Sequence, residues 1–496
     1  MNKIKYVYLL ALIAVMFSCE DAYNIDQPGR LTADAAFQTV DDLELGLLAV
    51  YNQWDLTPEI SLAANFCDEV AVGFDSGGQG FALYDFVMNA ASASAFDFWV
   101  RNFRVNNRAT LVLEAANLVD GSEDQDRYNN ILAQLHFIRA YANFEMLLYF
   151  SPDPQDDSTL AVPVIDFVAP TDIQPSRDTT GALWDYINSD VSAALNLSTV
   201  QSDPRFVSTD AINALRARMA LTRGNNPQAE SLATQLLGTY GLANTTQYQN
   251  MWLDIDNTEV ILKLERTLND SYDGQVNTGS VNTGGGWAGS VFAFVTATLA
   301  GSPYFEMDRS VFDALDPADV RYDVNVAPTS IISPDYPNDP DPINNDILVI
   351  QKYPGSEGRP LMNDLKVFRA SEMLLIAAEA RARQGNLTGA ATLIKQLRDA
   401  RFGTAQPLPA YGSQQEAIGA ILDERKIELV YEGHRYKDLK RSGVDGNRGV
   451  DRDPIACTLQ SGACTLPASD YRFTLPIPVV EINANPGIAA QQNPGY

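Results

Sequence analysis

Apolar residues recur at helical spacing along most of the chain. Leu43, Leu47, Val50 and Trp54 fall three and four apart, which predicts an amphipathic helix over 41–54. The same period returns from Phe96 to Leu118 and from Asp124 to Tyr149. Between the first of these helices and Phe96, the stretch Phe74 to Phe86 is rich in Gly and Phe and breaks the pattern. Val260 to Leu264 reads as a short strand. Two long segments have no helical period: Asn269 to Ser302 (Gly, Asn, Ser and Thr) and Val326 to Asn345 (Pro and Asp). Ordered loops of this length are often functional.

Two stretches can be laid over each other. Ala217 to Asn225 and Ala378 to Asn386 both run from a small-residue helix into Gly-Asn, and Ala229, Leu232 and Leu236 then match Ala390, Leu393 and Leu397. Small residues allow close helix approach and the Gly-Asn pair turns the chain, the logic of a tetratricopeptide hairpin. Leu135 to Leu148 reads as the first helix of another, and stacked hairpins make a helical scaffold. The expected fold is mostly α, with hairpins packed against an irregular, loop-rich part.

The first residues change the picture. Lys3 and Lys5 precede an apolar run, Tyr6 to Phe17, of secretory rather than spanning length. Ser18-Cys19 follows it and resembles a short bacterial lipobox, with Cys19 as the acylated residue. Glu20 and Asp21 come next and resemble a surface-export signal. The expected organisation is 1–18 signal peptide, 19–36 lipidated tether and 37–496 a single domain. In that domain the scaffold is about 37–60, 97–240 and 365–441, and the loop-rich part about 61–96 and 245–364.

The formal charge is −28, from 35 basic and 63 acidic residues. Such a chain lacks the basic patch that nucleic acid requires, and the acidity leans toward a neutral ligand. Cys457 and Cys464 enclose a short loop and can form a disulfide in an oxidising compartment; Cys67 is left as a buried thiol. No cysteine pair has zinc spacing. His136 and His434 have no nucleophile signature beside them, Gly284-Gly285-Gly286 lacks the Lys and Ser/Thr of a phosphate loop, and the Asp335–Asp346 run lacks EF-hand spacing. The chain is expected to be a binding protein, not an enzyme, with no cofactor and no metal.

The last third carries a resemblance. Phe368 to Ala380, Ile421 to Arg441, Leu475-Pro-Ile-Pro478, Glu481-Ile482 and Gln492 to Tyr496 follow one another as in the SusD/RagB family of outer-membrane nutrient-binding lipoproteins. Arg425, Glu428, Glu432, Arg435, Asp438 and Arg441 also suit a ladder of ion pairs along a helix, with Gly433 loosening or ending it. The resemblance implies a SusD-like fold that packs against a SusC-like TonB-dependent transporter as its lid. The loop-rich part then binds an oligosaccharide or polysaccharide such as a glucan, or, in RagB-like members, a peptide. A scaffold that binds only protein is a third alternative. The implied location is the outer membrane, lipid-anchored and facing outward.

Sugar binding needs aromatic faces beside polar side chains. Trp54, Trp99 and Trp184 lie on amphipathic helices and read as core, as does Trp252. Trp287 follows three glycines in a polar loop and is the expected stacking platform, outside the core. Tyr272, Asn277 and Asn282 share its loop; Phe81, Tyr84 and Asp68 belong to the early Gly-rich region. The resemblance implies that loops from these two regions line the ligand site.

Overall fold

The structure, a computed structural model, describes residues 33–73, 75–78, 80–170, 172–198, 202–267, 286–293, 303–460 and 462–496. Helices of eight residues or more are numbered in chain order. They are α1 (Val40–Tyr51), α2 (Thr57–Phe66), α3 (Ala93–Ala116), α4 (Gln125–Phe150), α5 (Thr180–Leu197) and α6 (Thr209–Thr222). Then come α7 (Asn226–Thr239), α8 (Thr245–Trp252), α9 (Ala370–Arg383), α10 (Leu387–Phe402), α11 (Gln414–Glu428) and α12 (Arg435–Ser442). Six short strands form three antiparallel pairs. They are β1 (Val70–Val72) with β3 (Phe305–Met307), β2 (Val260–Leu264) with β4 (Leu365–Arg369), and β5 (Val450–Asp451) with β6 (Thr465–Leu466).

The matched segments fold alike. α6/α7 and α9/α10 are helical hairpins, and α7 packs against α9 so that the two stack. Gly224 (φ +75°) and Gly385 (φ +80°) make the turns in a left-handed conformation that a side chain strains. Asn225 and Asn386 then cap the following helices, accepting from the amides of Gln228 and Gly389. The Gly-Asn repeat is thus one glycine for the turn and one asparagine for the cap. Ala217, Ala229, Ala378 and Ala390 are buried in this stack. α4 runs between α3 and α5, and α1 lies across α3 and α4. Trp54, Trp99, Trp184 and Trp252 are all buried.

The C-terminal charges do not form a ladder on one helix. α11 stops at Glu428 and the chain turns at Gly433 (φ +82°) before α12 begins. A Cβ at Gly433 would lie 3.0 Å from the Cβ of Glu59. The charged side chains therefore point inward and find partners far away in sequence. Glu428 is shared by Arg321, Arg369 and Arg401, and Glu432 pairs with Lys352 and Arg369. Arg435 pairs with Asp68, and Arg441 with Glu379. Arg425–Asp438 and Arg441–Asp438 are the pairs within the series. Burial disfavours the charge of Glu428, but Arg401 and Arg369 outweigh it and hold its carboxyl well below the usual range.

Candidate functional site

Three loops converge at the start of β3. The first leaves β1: the Gly73 amide donates to the Tyr304 carbonyl at 2.9 Å. Farther along, Gly80 lies so close to the Phe305 ring that a Cβ there would clash with it. Phe81 follows on a one-turn helix and is half-buried. The second loop is the 3-10 turn Ala288–Val291, where the Tyr304 hydroxyl donates to the Ser290 carbonyl. The third is 355–362, whose Leu361 packs on Gly289. Its exposed Arg359 guanidinium lies 5.5 Å from the Trp287 ring centroid. The segments that meet here thus carry a half-buried Phe81, a half-buried Tyr304 and an exposed Arg359.

The residues expected from sequence divide on this face. Trp287 is 3% exposed, so the expectation of a ring standing outside the core does not hold. The Arg266 guanidinium donates to the Gly286 carbonyl at 3.0 Å and fixes the backbone just before it. Tyr84 is fully buried, with the Arg452 guanidinium 3.7 Å from its ring centroid, so its ring faces protein rather than solvent. Asp68 is buried as well. It accepts from Arg435 at 2.8 and 2.9 Å and from Lys426 at 3.0 Å. Burial opposes its charge, but Arg435 and Lys426 keep the carboxyl well below the usual range. These two residues serve the interior because their partners reach them from the last fifth of the chain, which local composition does not reveal. Tyr272, Asn277, Asn282 and Cys19 lie outside the described residues.

Tyr304 and Arg359 are the residues that sequence reading missed. Tyr304 sits between a Pro and a Phe, and Arg359 in an ordinary polar loop. Only the β1–β3 pairing and the loop contacts bring them together.

A narrow cleft lies on the other side of β3, between Glu306, Arg309, Tyr336 and Gln460. Arg309 is paired with Asp346 at 2.8 Å and stacks 4.6 Å from the Tyr336 ring. Gln460 accepts from the Val72 amide and donates to its carbonyl, at 3.0 and 2.7 Å. Its helix is closed by the Cys457–Cys464 disulfide. Cys67 is the remaining described cysteine, and burial pushes its thiol up.

Among the described residues no catalytic constellation stands out. His136 Nδ1 lies 2.7 Å from Asp190, which also holds Arg139. His434 is buried, and burial, with Arg218 and Lys437 beside it, keeps its pKa well below the usual value. Among the described residues no three His, Cys, Asp or Glu side chains gather to hold a metal ion. No described helix is long and apolar enough to cross a membrane.

Comparison with known proteins places this architecture. Residues 355–496 match the model of the SusD family. Over its whole length the chain is 25% identical to the SusD-like protein P2 of Formosa agariphila, with both chains fully covered. It is 22% identical to the SusD-like protein P38 of the same organism, over 89% of this chain and 92% of that one. In fold it is similar to a SusD superfamily protein from Bacteroides thetaiotaomicron. The TM-score there is 0.75 at 24% identity, over 92% of this chain and all of that one. It is also similar to surface glycan-binding protein A from Bacteroides fluxus. The TM-score there is 0.70 at 20% identity, over 92% of this chain and all of that one. The matched segment holds Arg369, Arg401, Glu428 and Arg435, the charges that close the buried network, so this last part of the chain resembles the SusD family, and over its whole length the chain is similar to SusD-like proteins.

Proposed function

We propose that this protein binds oligosaccharide at the cell surface through the face around Phe81, Tyr304 and Arg359, and hands it to a SusC-like TonB-dependent transporter. The observation that carries this is the meeting of loops that bear two half-buried rings and an exposed guanidinium, on a helical frame. A pyranose offers an apolar C–H face to a ring and hydroxyls to a guanidinium, so such a face suits it without catalysis. The protein from Bacteroides fluxus with the same fold is a surface glycan-binding protein. The formal charge of −28 favours a neutral polymer over an anionic one. Tyr272 and Asn282 are candidates for the same site on sequence grounds.

An affinity-gel screen of soluble protein names the polymer, and calorimetric titration with its oligosaccharides then tests the face. Phe81→Ala combined with Tyr304→Ala is expected to weaken binding about tenfold or more, at roughly 1–3 kcal/mol per lost stacking ring. Unchanged affinity in the folded variant would move the site elsewhere. Trp287→Ala is unsuited to this test: emptying so buried a position costs about 3–5 kcal/mol of stability.

Anchoring rests on Cys19. The proposal holds that its thiol is acylated and keeps the chain on the outer membrane, where several acyl chains bind firmly at about 0.8 kcal/mol per buried methylene. Cys19→Ser is expected to release the protein into the soluble fraction. A variant retained on membranes through washing would show that something other than the lipid holds it.

A further inference from the structure

α3 carries an outer stripe that the fold covers only in part. At 100° per residue, Phe96, Val100, Arg104 and Leu111 fall within about 80° of one another on the helix, and Leu118 continues the line just past its end. Phe96 is 40% and Leu118 63% exposed, while Val100 and Leu111 are half-buried. Arg101 and Arg108 flank the stripe. Arg104 and Arg108 have no carboxylate within ion-pair distance among the described residues, in a chain with 63 acidic residues. Burial, and then Arg108 and Arg101 beside it, pull the pKa of Arg104 down. Three carboxylates on this side are already engaged: Asp97 and Asp55 accept from Arg101 at 3.3 and 3.4 Å, and Glu114 from the Val168 amide at 3.1 Å.

A cationic cluster interleaved with exposed apolar side chains is the composition of a helix that lies on an anionic lipid surface. The position in the chain agrees. The one-turn helix Ala33–Ala36 packs on α3, so the segment leading from Cys19 reaches the folded part at the helix that bears this stripe. Thirteen residues, 20–32, separate the two and span at most about 45 Å when extended. We infer that the α3 stripe docks on the phosphate headgroups of the membrane in which the chain is anchored, with Arg104 and Arg108 on phosphates and Phe96 and Leu118 at the acyl boundary. This rests on the surface-anchored reading above, and it fixes which face of the protein is turned away from solvent. Weak docking suffices, because the tether holds the patch at high local concentration.

The test supplies the tether artificially, so that it does not depend on acylation. Mature chain with Cys19→Ser and an amino-terminal hexahistidine is held on vesicles containing nickel-chelating lipid, with or without phosphatidylglycerol in phosphatidylcholine. A fluorophore is placed at Leu118→Cys, or at Leu408→Cys as a control on an exposed position elsewhere (53% exposed). With Cys457 and Cys464 in a disulfide and Cys67 buried, the introduced thiol is the one labelled. Quenching by bromine-labelled acyl chains is expected to be at least threefold stronger at 118 than at 408, only with phosphatidylglycerol present. Arg104→Gln with Arg108→Gln should remove more than half of it, in protein whose circular dichroism is unchanged. Equal quenching at the two positions, or quenching indifferent to the two arginines, overturns the inference. So does shielding of position 118 by a soluble polyanion such as alginate but not by vesicles, which would assign the stripe to an anionic saccharide. Oligosaccharide titration of the same protein stands apart from these outcomes and reports on the proposed binding face alone.

Discussion

Glu428→Gln is expected to destabilise the protein by about 3–5 kcal/mol, the cost of breaking a buried ion pair from one side. Glu428 is fully buried. Its Oε1 accepts from Arg369 at 2.6 Å and Arg401 at 2.8 Å, and its Oε2 from Arg401 at 3.0 Å and Arg321 at 3.3 Å. Neutralising it leaves three buried guanidiniums with less negative charge than they need. The effect should also depend on pH. Because the folded carboxyl titrates well below its unfolded value, its contribution is complete above the unfolded pKa and is lost as pH falls through the folded one. The difference between wild type and variant should therefore be full at neutral pH and shrink in acid. Asp423→Asn is the comparison: its pair with Arg448 is half-exposed, and such pairs contribute about 0–1 kcal/mol. Thermal melts followed by circular dichroism at pH 7 and in acid would settle it, and equal midpoints for the two variants would refute the buried-network account.

Arg452→Met is expected to cost a similar amount for a different reason. Arg452 is almost fully buried, and its guanidinium donates to five carbonyls rather than to a carboxylate. Three belong to the end of α2: Asn65 at 2.9 Å, Phe66 at 3.1 Å and Cys67 at 2.8 Å. The others are Tyr84 at 2.6 Å and Ala463 at 2.7 Å. It therefore caps the carbonyl end of α2, where orphan acceptors and the helix dipole favour a cation. It also fastens the Gly-rich loop and the disulfide loop to that end. Methionine fills the space but takes the donor from the four buried carbonyls of Asn65, Phe66, Cys67 and Tyr84, at about 1–3 kcal/mol for each one that water does not reach. Alongside a lowered melting point, limited proteolysis should cut within 73–86 faster than in wild type. Wild-type protease resistance in the variant would show that the loop is held by other contacts.

Much of the frame was legible because it depends on local pattern. Leu43, Leu47 and Val50 gave their helix through period alone, and the Gly-Asn pairs marked two hairpin turns whose geometry only glycine followed by a capping side chain satisfies. The site was less legible. Trp287 read as a loop ring because its neighbours in sequence are glycines, yet its burial is set by tertiary packing. Asp68 looked like a free polar group beside a loop, and its partners lie more than 350 residues away. Tyr304 carries no local signal at all: a strand pairing places it. The charged series from Arg425 to Arg441 had the right residues for ion pairs, but a turn with left-handed Tyr431 and Gly433 made an interior junction of what would have been a surface ladder.

That junction also sets an order of events during synthesis. Glu59, Asp68 and Glu145 are all buried acids of the first third, and their cationic partners are Lys437 for the two glutamates and Lys426 and Arg435 for Asp68. Until residue 426 and those after it have been made, the charged forms of these acids lack their ion-pair partners and resist leaving water. The amino-terminal helices thus acquire their final packing only when the last seventh of the chain arrives. Contacts of such long separation make folding slow, so the newly made chain keeps these acids hydrated until its end is free.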